Sequence, residues 1–173
     1  MALLSTPAPD PTFIAPDFSL RDVITDEVMT LSEQDLSRGF VVMFICNHCP
    51  YVQAIIEQIR TTTDTLASAG IPTFAIMSNN YEFVTEDSPD NMRTFAAEHG
   101  LTFPYLVDED QSVAKAYGAV CTPDIAGFNA ERMQQYRGTI DSLEVAMLSI
   151  KETGQGPSPD TYGPSSGCSI KWK

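Results

Sequence analysis

The segment that most constrains the fold is FVVMFI at residues 40–45, because it is apolar at every position. Most of its residues are β-branched or aromatic, which favours a strand buried on both faces, as in a parallel sheet. The period then changes: apolar residues recur at helical spacing, with polar residues between them, at Val52, Ile55, Ile56, Ile59 and Leu66. The sequence therefore predicts a central strand that runs into a helix, with residues 46–49 at the junction.

The segments that follow repeat this alternation of strand and helix. Strands are predicted at 71–77 and 103–107, and the helix between them begins near Ser88 and ends at Gly100. Such alternation implies parallel strands with helices on both faces of the sheet. Reactive groups in these sheets lie at the carboxyl ends of the strands, which is where Cys46 is placed.

Two predicted hairpins flank this core. A polar stretch between apolar residues at 18–31 indicates an N-terminal β-hairpin extension. Strands at 124–128 and 133–137 add an antiparallel edge, and Asp141 with Glu144 resembles the capping box of a last helix. The predicted fold class is therefore α/β, with a central mixed sheet and helices on both of its faces.

The 173 residues suffice for one ordinary domain and are too few for two. We predict a folded domain over residues 1–152 and a tail over residues 153–173, because the first part of the tail is dominated by Gly, Pro and Ser. The tail ends in CSIKWK, which contains the only tryptophan, Trp172. The apolar area of Trp172 favours docking of the tail end on the domain.

The formal net charge of −13 disfavours binding to nucleic acids or to anionic membranes, because both would be repelled. No apolar run approaches the ~20 residues that span a bilayer. The N-terminus lacks the basic region and the apolar stretch of ~7–15 residues that mark a secretory signal. We therefore expect a cytoplasmic protein, in which a close cysteine pair is catalytic or metal-binding rather than structural.

Cys46 and Cys49 form a Cys-x-x-Cys motif at the predicted helix N-terminus. Unpaired backbone N–H groups and the helix dipole favour a thiolate there, so we expect Cys46 to be exposed, with a pKa below about 8.5. Cys46 would attack a disulfide, and the more buried Cys49 would resolve the mixed disulfide. The motif predicts a redox-active Cys46–Cys49 disulfide and no other cofactor.

Three neighbours are expected to tune this pair. His48 would stabilise the Cys46 thiolate and make the disulfide a stronger oxidant, unless it is a solvent-exposed loop residue. Pro50 stiffens the start of the helix, where its missing N–H matters little. The polar Asn47 argues against two coincidental core thiols. Because a zinc site needs four ligands and no second pair with suitable spacing exists, we expect no bound metal.

The motifs CNHCPYV, CTPD, YRG and GCSIKWK are similar to those of small redoxin proteins of the thioredoxin superfamily, in the branch shared by peroxiredoxins and ResA-type thioredoxins. The resemblance covers the chain from about residue 15 to residue 173 and implies a thioredoxin-like fold. It also implies that the bond between Thr122 and Pro123 is cis and faces the disulfide. The Thr122 backbone would then pair with a substrate strand. The implied partners are a thiol or disulfide substrate and an external electron donor.

Two positions depart from the thioredoxin pattern. Ile45 stands where a tryptophan usually precedes the first cysteine. Phe40 stands where a buried carboxylate usually accepts a proton. Proton transfer at Cys49 would therefore need another route, such as His48 or water.

A peroxiredoxin-like thiol peroxidase is the main alternative function. The peroxidatic cysteine of that family would fall on Cys49, but its threonine and proline positions are Cys46 and Val42, which argues against efficient peroxide reduction. Arg137 in YRG either resembles the arginine that stabilises a peroxidatic thiolate or is an exposed strand residue. A non-enzymatic soft-metal carrier that binds through Cys46, His48 and Cys49 is a further alternative.

Cys121 and Cys168 are candidate auxiliary redox residues. Cys121 precedes Thr122, so its sulfur would either come near Cys46 or form a small buried side chain. Cys168 would reach the site on a flexible arm or mark a tail that docks. Under oxidation we expect Cys168 to form a disulfide with Cys121 or Cys46.

Overall fold

The computed structural model describes residues 3–173, which form two β-sheets and four α-helices. The strands are β1 (Leu3–Ser5), β2 (Ser19–Asp22), β3 (Val28–Thr30), β4 (Phe40–Phe44), β5 (Thr73–Met77), β6 (Tyr105–Val107), β7 (Cys121–Thr122), β8 (Asp124–Phe128), β9 (Gln134–Arg137) and β10 (Ser166–Ser169). The helices are α1 (Pro50–Ser68), α2 (Pro89–His99), α3 (Ser112–Tyr117) and α4 (Leu143–Thr153). Across residues 3–173, none of these helices has both the length and the apolar character needed to span a bilayer.

The larger sheet has seven strands in the order β3-β2-β6-β5-β4-β8-β9. Strands β4, β5 and β6 are parallel, whereas β2 and β8 join them in antiparallel pairs. The structure confirms the mixed sheet, the N-terminal hairpin of β2 and β3, and the antiparallel edge of β8 and β9. Every residue of β4 is buried, as expected of a strand that is covered on both faces.

Alternate residues of β4 enter two different apolar clusters, which places helices on both faces of the sheet. Val41 and Met43 share one cluster with α1, α2, α4 and the cysteine pair. Phe40 lies in the other cluster with α3, and its ring stacks on Phe128 with the ring centroids 5.1 Å apart. Phe40 therefore belongs to the core on the side of the sheet away from the cysteines.

Local sequence signals locate some helix ends correctly and one wrongly. Ser88 caps α2 by accepting a backbone hydrogen bond, and Gly100 ends that helix with a left-handed φ of 62°. The capping box predicted for α4 is wrong, because the helix is preceded by Ser142, whose side chain makes no capping bond. Asp141 lies instead in a 3-10 turn and accepts a hydrogen bond of 2.7 Å from the Gln58 side chain.

The smaller sheet, in the order β1-β10-β7, is absent from the sequence-based expectations. Strand β10 lies in its centre, where Cys168 pairs with Leu3 of β1 on one side and with Thr122 of β7 on the other. Ile170, just after β10, is buried in the aromatic cluster, whereas Trp172 is 44% exposed. Backbone pairing and Ile170 therefore hold the chain end more than Trp172 does. The division of the chain at residue 152 stays a prediction.

Candidate redox site

The structure brings the Cys-x-x-Cys motif and the Thr122–Pro123 bond together. Cys46 lies in the connection from β4 to α1, Cys49 is the N-cap residue of α1, and Pro50 is the first residue of the helix. The peptide bond between Thr122 and Pro123 is cis, as the resemblance implies. Cys46 Sγ lies 3.5 Å from Thr122 Oγ1, and Cys49 Sγ lies 3.2 Å from the Thr122 carbonyl oxygen.

The expectation that Cys46 is exposed is wrong, because Cys46 and Cys49 are both 0% exposed. Strand β10 contributes to this cover, since Cys168 Sγ lies 3.1 Å from Cys49 Sγ. The same strand pairs with the backbone of Thr122, the edge that was expected to receive a substrate. The C-terminal strand of the chain itself therefore occupies that edge.

Cys168 contacts Cys49 and neither of the partners predicted for it. Cys168 and Thr122 are paired across the small sheet, so Cys121, the next residue along β7, points to the opposite side. The Cys121 sulfur lies 3.6 Å from the Pro123 carbonyl oxygen. Burial raises the pKa of Cys121 to about 12, which keeps this thiol protonated at neutral pH.

A buried carboxylate that sequence reasoning missed, Asp87, lies beside the motif. It is in the 3-10 turn before α2 and is 0% exposed. Its oxygens accept hydrogen bonds from the backbone N–H groups of Asn47 (2.8 Å) and His48 (3.2 Å). They also accept from the His48 ring (2.5 Å) and the Asn79 side-chain amide (2.9 Å). Asp87 thus fixes the conformation of residues 47 and 48.

Asp87 and His48 form an ion pair at the edge of the site. The hydrogen bond to Asp87 raises the pKa of His48, against the opposing effect of burial. Burial raises the pKa of Asp87, but the hydrogen bonds from His48 and Asn79 outweigh it, and the pKa is lowered overall. The Nδ1 atom of His48 is also 3.6 Å from Cys46 Sγ. This nitrogen is much closer to Asp87, so the carboxylate is its main partner. His48 therefore supports a Cys46 thiolate less than expected.

The pKa values of the two motif thiols shift in opposite directions, and the shift of Cys46 is opposite to the predicted one. The hydrogen bond to Cys49, burial and the negative charge of Asp87 raise the pKa of Cys46. The same hydrogen bond, helped by contacts with Thr122 and Cys168, lowers the pKa of Cys49 to about 4 against the effect of burial. Cys49 is the N-cap residue of α1, so the positive end of the helix dipole also favours a lowered pKa of this thiol.

The hydrogen bonds of the Arg137 side chain go to residues other than the cysteines. Its guanidinium is buried and donates hydrogen bonds of 2.7 and 3.0 Å to the Asp124 carboxylate and one of 3.0 Å to the Gly118 carbonyl oxygen. Both alternatives from the sequence, a thiolate contact and an exposed strand residue, are therefore wrong. The ion pair of Arg137 and Asp124 instead links β9 to the start of β8, the strand that follows Pro123.

The ligand atoms of Cys46, His48 and Asp87 lie within 4.8 Å of one another. The predicted metal carrier would bind through Cys49, whereas this set has the Asp87 carboxylate in its place. A carboxylate suits hard cations better than soft ones, and the His48 nitrogen nearest to Cys46 is already bonded to Asp87. The geometry therefore favours an ion pair over a soft-metal site.

The sequence pattern of the AhpC/TSA family matches residues 12–140, which include the cysteine motif and the Thr122–Pro123 bond. The chain belongs to the AhpC/TSA family. This AhpC/TSA protein is accordingly a redoxin of the thioredoxin superfamily, as its motifs imply. Redoxins of this superfamily carry out their chemistry at cysteine, without a bound cofactor.

Relatives of this AhpC/TSA protein extend over most of its length. It is 26% identical over 143 residues to "Putative peroxiredoxin Rv2521" of Mycobacterium tuberculosis, an overlap of 81% of this chain and 85% of that protein. The crystal structure of an uncharacterized conserved protein from Geobacillus kaustophilus is 38% identical, with a TM-score of 0.90 over 100% of this chain and 97% of that one. A hypothetical protein of Sinorhizobium meliloti is 32% identical, with a TM-score of 0.87 over 96% and 98%.

A more distant structure confirms the thioredoxin-like fold. It is a secreted Mycobacterium tuberculosis disulfide oxidoreductase homologous to DsbE, 14% identical, with a TM-score of 0.63. At this identity the likeness concerns the fold alone. The overlap covers 95% of that chain but 76% of this one, so this AhpC/TSA protein carries segments beyond the shared fold.

Proposed function

We propose that the protein is a thiol–disulfide oxidoreductase whose reacting groups are Cys46 and Cys49. The proposal rests on one observation: two sulfurs lie at the junction of β4 and α1, and both contact Thr122, the residue before a cis-proline. The substrates are thiols or disulfides of proteins or small molecules, and an external electron donor or acceptor completes the cycle. The cytoplasmic location expected from the sequence is part of this proposal.

The opposite pKa shifts of the two thiols give each cysteine a role. Cys46 attacks, because it neighbours His48, whose side chain is 17% exposed and marks a route to solvent. As the Cys46 sulfur bonds to one sulfur of a substrate disulfide, its proton passes to Cys49 and the other substrate sulfur leaves as a thiolate. That thiolate takes the proton from Cys49. Cys49 then attacks Cys46, which forms the Cys46–Cys49 disulfide and releases the second substrate sulfur as a thiolate.

Reduction of insulin disulfides by the two single cysteine variants tests this proposal. We expect Cys46→Ser to lower the rate on the order of 10³-fold or more, since the attacking sulfur is gone. Cys49→Ser is expected to accumulate a mixed disulfide at Cys46, visible as a mass increase. Cys121→Ser is the matched control and retains activity. A Cys46→Ser protein that works within a few-fold of the wild type would overturn the proposal.

A thiol peroxidase is the second candidate, because the cysteine at the peroxidatic position has the lowered pKa. Cys49 has a pKa of about 4, and a thiolate is what attacks a peroxide. A buried site also admits a small peroxide more readily than a folded protein. Against this stand Cys46 and Val42 at the threonine and proline positions, and an Arg137 that is bonded to Asp124.

The Cys46→Ser variant separates the two candidates. In a peroxidase, Cys49 of this variant still reacts with hydrogen peroxide and forms a sulfenic acid, which dimedone labels once the nearby Cys168 is also changed to serine. In a disulfide oxidoreductase that begins at Cys46, the same variant is inactive towards insulin and reacts with peroxide no faster than an ordinary thiolate. Peroxide consumption by the wild type that outpaces insulin reduction would favour the peroxidase.

A further inference from the structure

Strand β10 lies where the extended strand of a substrate would lie. Cys168 and Ser169 pair antiparallel with Thr122 and Cys121, on the backbone edge beside the cis bond. The contact is close, because a Cβ atom added at Gly167 would lie 1.8 Å from the Thr122 carbonyl oxygen. Glycine at this position therefore lets the two backbones meet.

The register of β10 puts a thiol at the reacting pair. Thr122 and Cys168 are paired across the sheet and project to the same side, where Thr122 contacts both Cys46 and Cys49. Cys168 Sγ lies 3.1 Å from Cys49 Sγ. A disulfide bond is about 2.05 Å long, so an approach of about 1 Å joins the two atoms. Cys168, Cys46 and Cys49 also share one core cluster.

We propose that Cys168 is a third redox cysteine, which β10 holds as an internal substrate of the Cys46–Cys49 disulfide. The proposal rests on the proposed function, because that disulfide is its starting point. The Cys168 sulfur gives up its proton and attacks Cys49 Sγ, the Cys49–Cys168 bond forms, and the Cys46–Cys49 bond breaks. Cys46 leaves as a thiolate and takes up the proton. One disulfide replaces another, so no oxidant or reductant is consumed.

The exchange has two consequences for the protein. It returns Cys46 to its reduced state while the oxidising equivalents stay on Cys49 and Cys168. It also links β10 covalently to the start of α1, which keeps protein substrates off the Thr122 edge until a thiol reductant opens the bond. The redox state of Cys168 thus determines when a substrate strand can pair with the Thr122 backbone.

The first test uses a protein with only two cysteines. The double variant Cys46→Ser/Cys121→Ser is treated with one equivalent of diamide, unfolded in excess N-ethylmaleimide so that buried thiols are also blocked, and mapped by mass spectrometry. We expect more than about half of the monomer to carry the Cys49–Cys168 disulfide. The matched control Cys46→Ser/Cys49→Ser keeps Cys121 and Cys168, which point to opposite sides, and is expected to form no internal link. Full alkylation of Cys49 and Cys168 would overturn the proposal.

The second test follows the exchange in the wild type. After one equivalent of diamide, we expect the Cys49–Cys168 link to hold at least about a tenth of the disulfide, beside Cys46–Cys49. Detection of the Cys46–Cys49 disulfide alone would overturn the exchange. A Cys49–Cys168 disulfide in the double variant would then show only that the two sulfurs are close together. Insulin reduction by the wild type tests the proposed function separately, so the two failures are distinguishable.

The third test displaces β10 while Cys49 and Cys168 are both kept. In the Cys46→Ser/Cys121→Ser background, Gly167→Ala places a Cβ against the Thr122 carbonyl oxygen and should separate β10 from β7. We expect the yield of the Cys49–Cys168 link to fall by about fivefold or more. Gly163→Ala, where an added Cβ meets no atom within 4 Å, is the matched control and leaves the yield unchanged. An equal yield from both variants would contradict the role given to β10.

Discussion

The two sides of the redox site are built from the chain in different ways. The motif side, residues 46–50, is one continuous turn between β4 and α1. The strand side consists of Thr122, Pro123 and Cys168, which long-range pairing of β7 and β10 brings together. The motif side supplies the reacting sulfurs, and the strand side covers them. Local sequence therefore determines the chemistry of the site, whereas distant pairing determines access to it.

The largest stability change is expected from a residue that supports the strand side. Arg137→Ala leaves the buried Asp124 carboxylate without its partner, and breaking such a pair costs about 3–5 kcal/mol of unfolding free energy. Urea unfolding measures this loss. The double variant Arg137→Met/Asp124→Asn removes both charges and should recover most of the stability. A loss below about 1 kcal/mol for Arg137→Ala would mean that the ion pair does not support the strand side.

A smaller change distinguishes the two residues that could hold β10. Ile170→Ala removes a buried side chain and should cost about 2–5 kcal/mol, whereas Trp172→Ala should cost less than about 1 kcal/mol because this ring is largely at the surface. The rate at which N-ethylmaleimide modifies Cys168 in the folded protein should rise in Ile170→Ala only. A larger effect of Trp172→Ala on either measurement would contradict the anchoring role of Ile170.

The smallest change concerns the pH dependence of the motif side. Because folding raises the pKa of His48, the stability from its pairing is fully present below the ordinary pKa of about 6.5 and is lost as the pH rises through the folded pKa. The lowered pKa of Asp87 adds stability above its ordinary pKa, which is lost as the pH falls through the folded value. Asp87→Asn should lower the pKa of His48 and remove both dependences.

An NMR titration of His48 checks this prediction. The signal of His48 should titrate at lower pH in Asp87→Asn than in the wild type. Stability measured across the same pH range should lose the slope that the ion pair contributes. An unchanged His48 titration would show that Asp87 does not control its charge.

The motif side was largely predictable from sequence because its signals are contiguous. The apolar run at 40–45 and the helical period after it locate the turn, and the structure confirms this junction. The predicted low pKa of Cys46 is wrong because its contact with Cys49, its burial and the charge of Asp87 raise the pKa, and none of these contacts is visible in the sequence. Without the helix boundary, sequence does not show that the N-cap is Cys49 rather than Cys46.

The strand side and Asp87 were not predictable by the same means. Strand β10 reads SGCS, which has neither β-branched residues nor a hydrophobic alternation, and its partners are far away in the chain. Asp87 follows Glu82 and Glu86 in a polar stretch, and composition does not separate the one buried carboxylate from its exposed neighbours. Both features depend on tertiary contacts, which local periodicity does not contain.

The pairing of Leu3 with Cys168 sets an order of events during synthesis. On the ribosome, Cys46 and Cys49 emerge long before Cys168, so the nascent chain presents its dithiol without the strand that later covers it. Joining residues so far apart in sequence is also slow relative to forming the β4–α1 turn, because the loop must close first. Unfinished chains therefore exchange more readily with small cellular disulfides, which leaves a mixed disulfide on the chain and releases one small thiol, than the folded protein, in which the same sulfurs are buried.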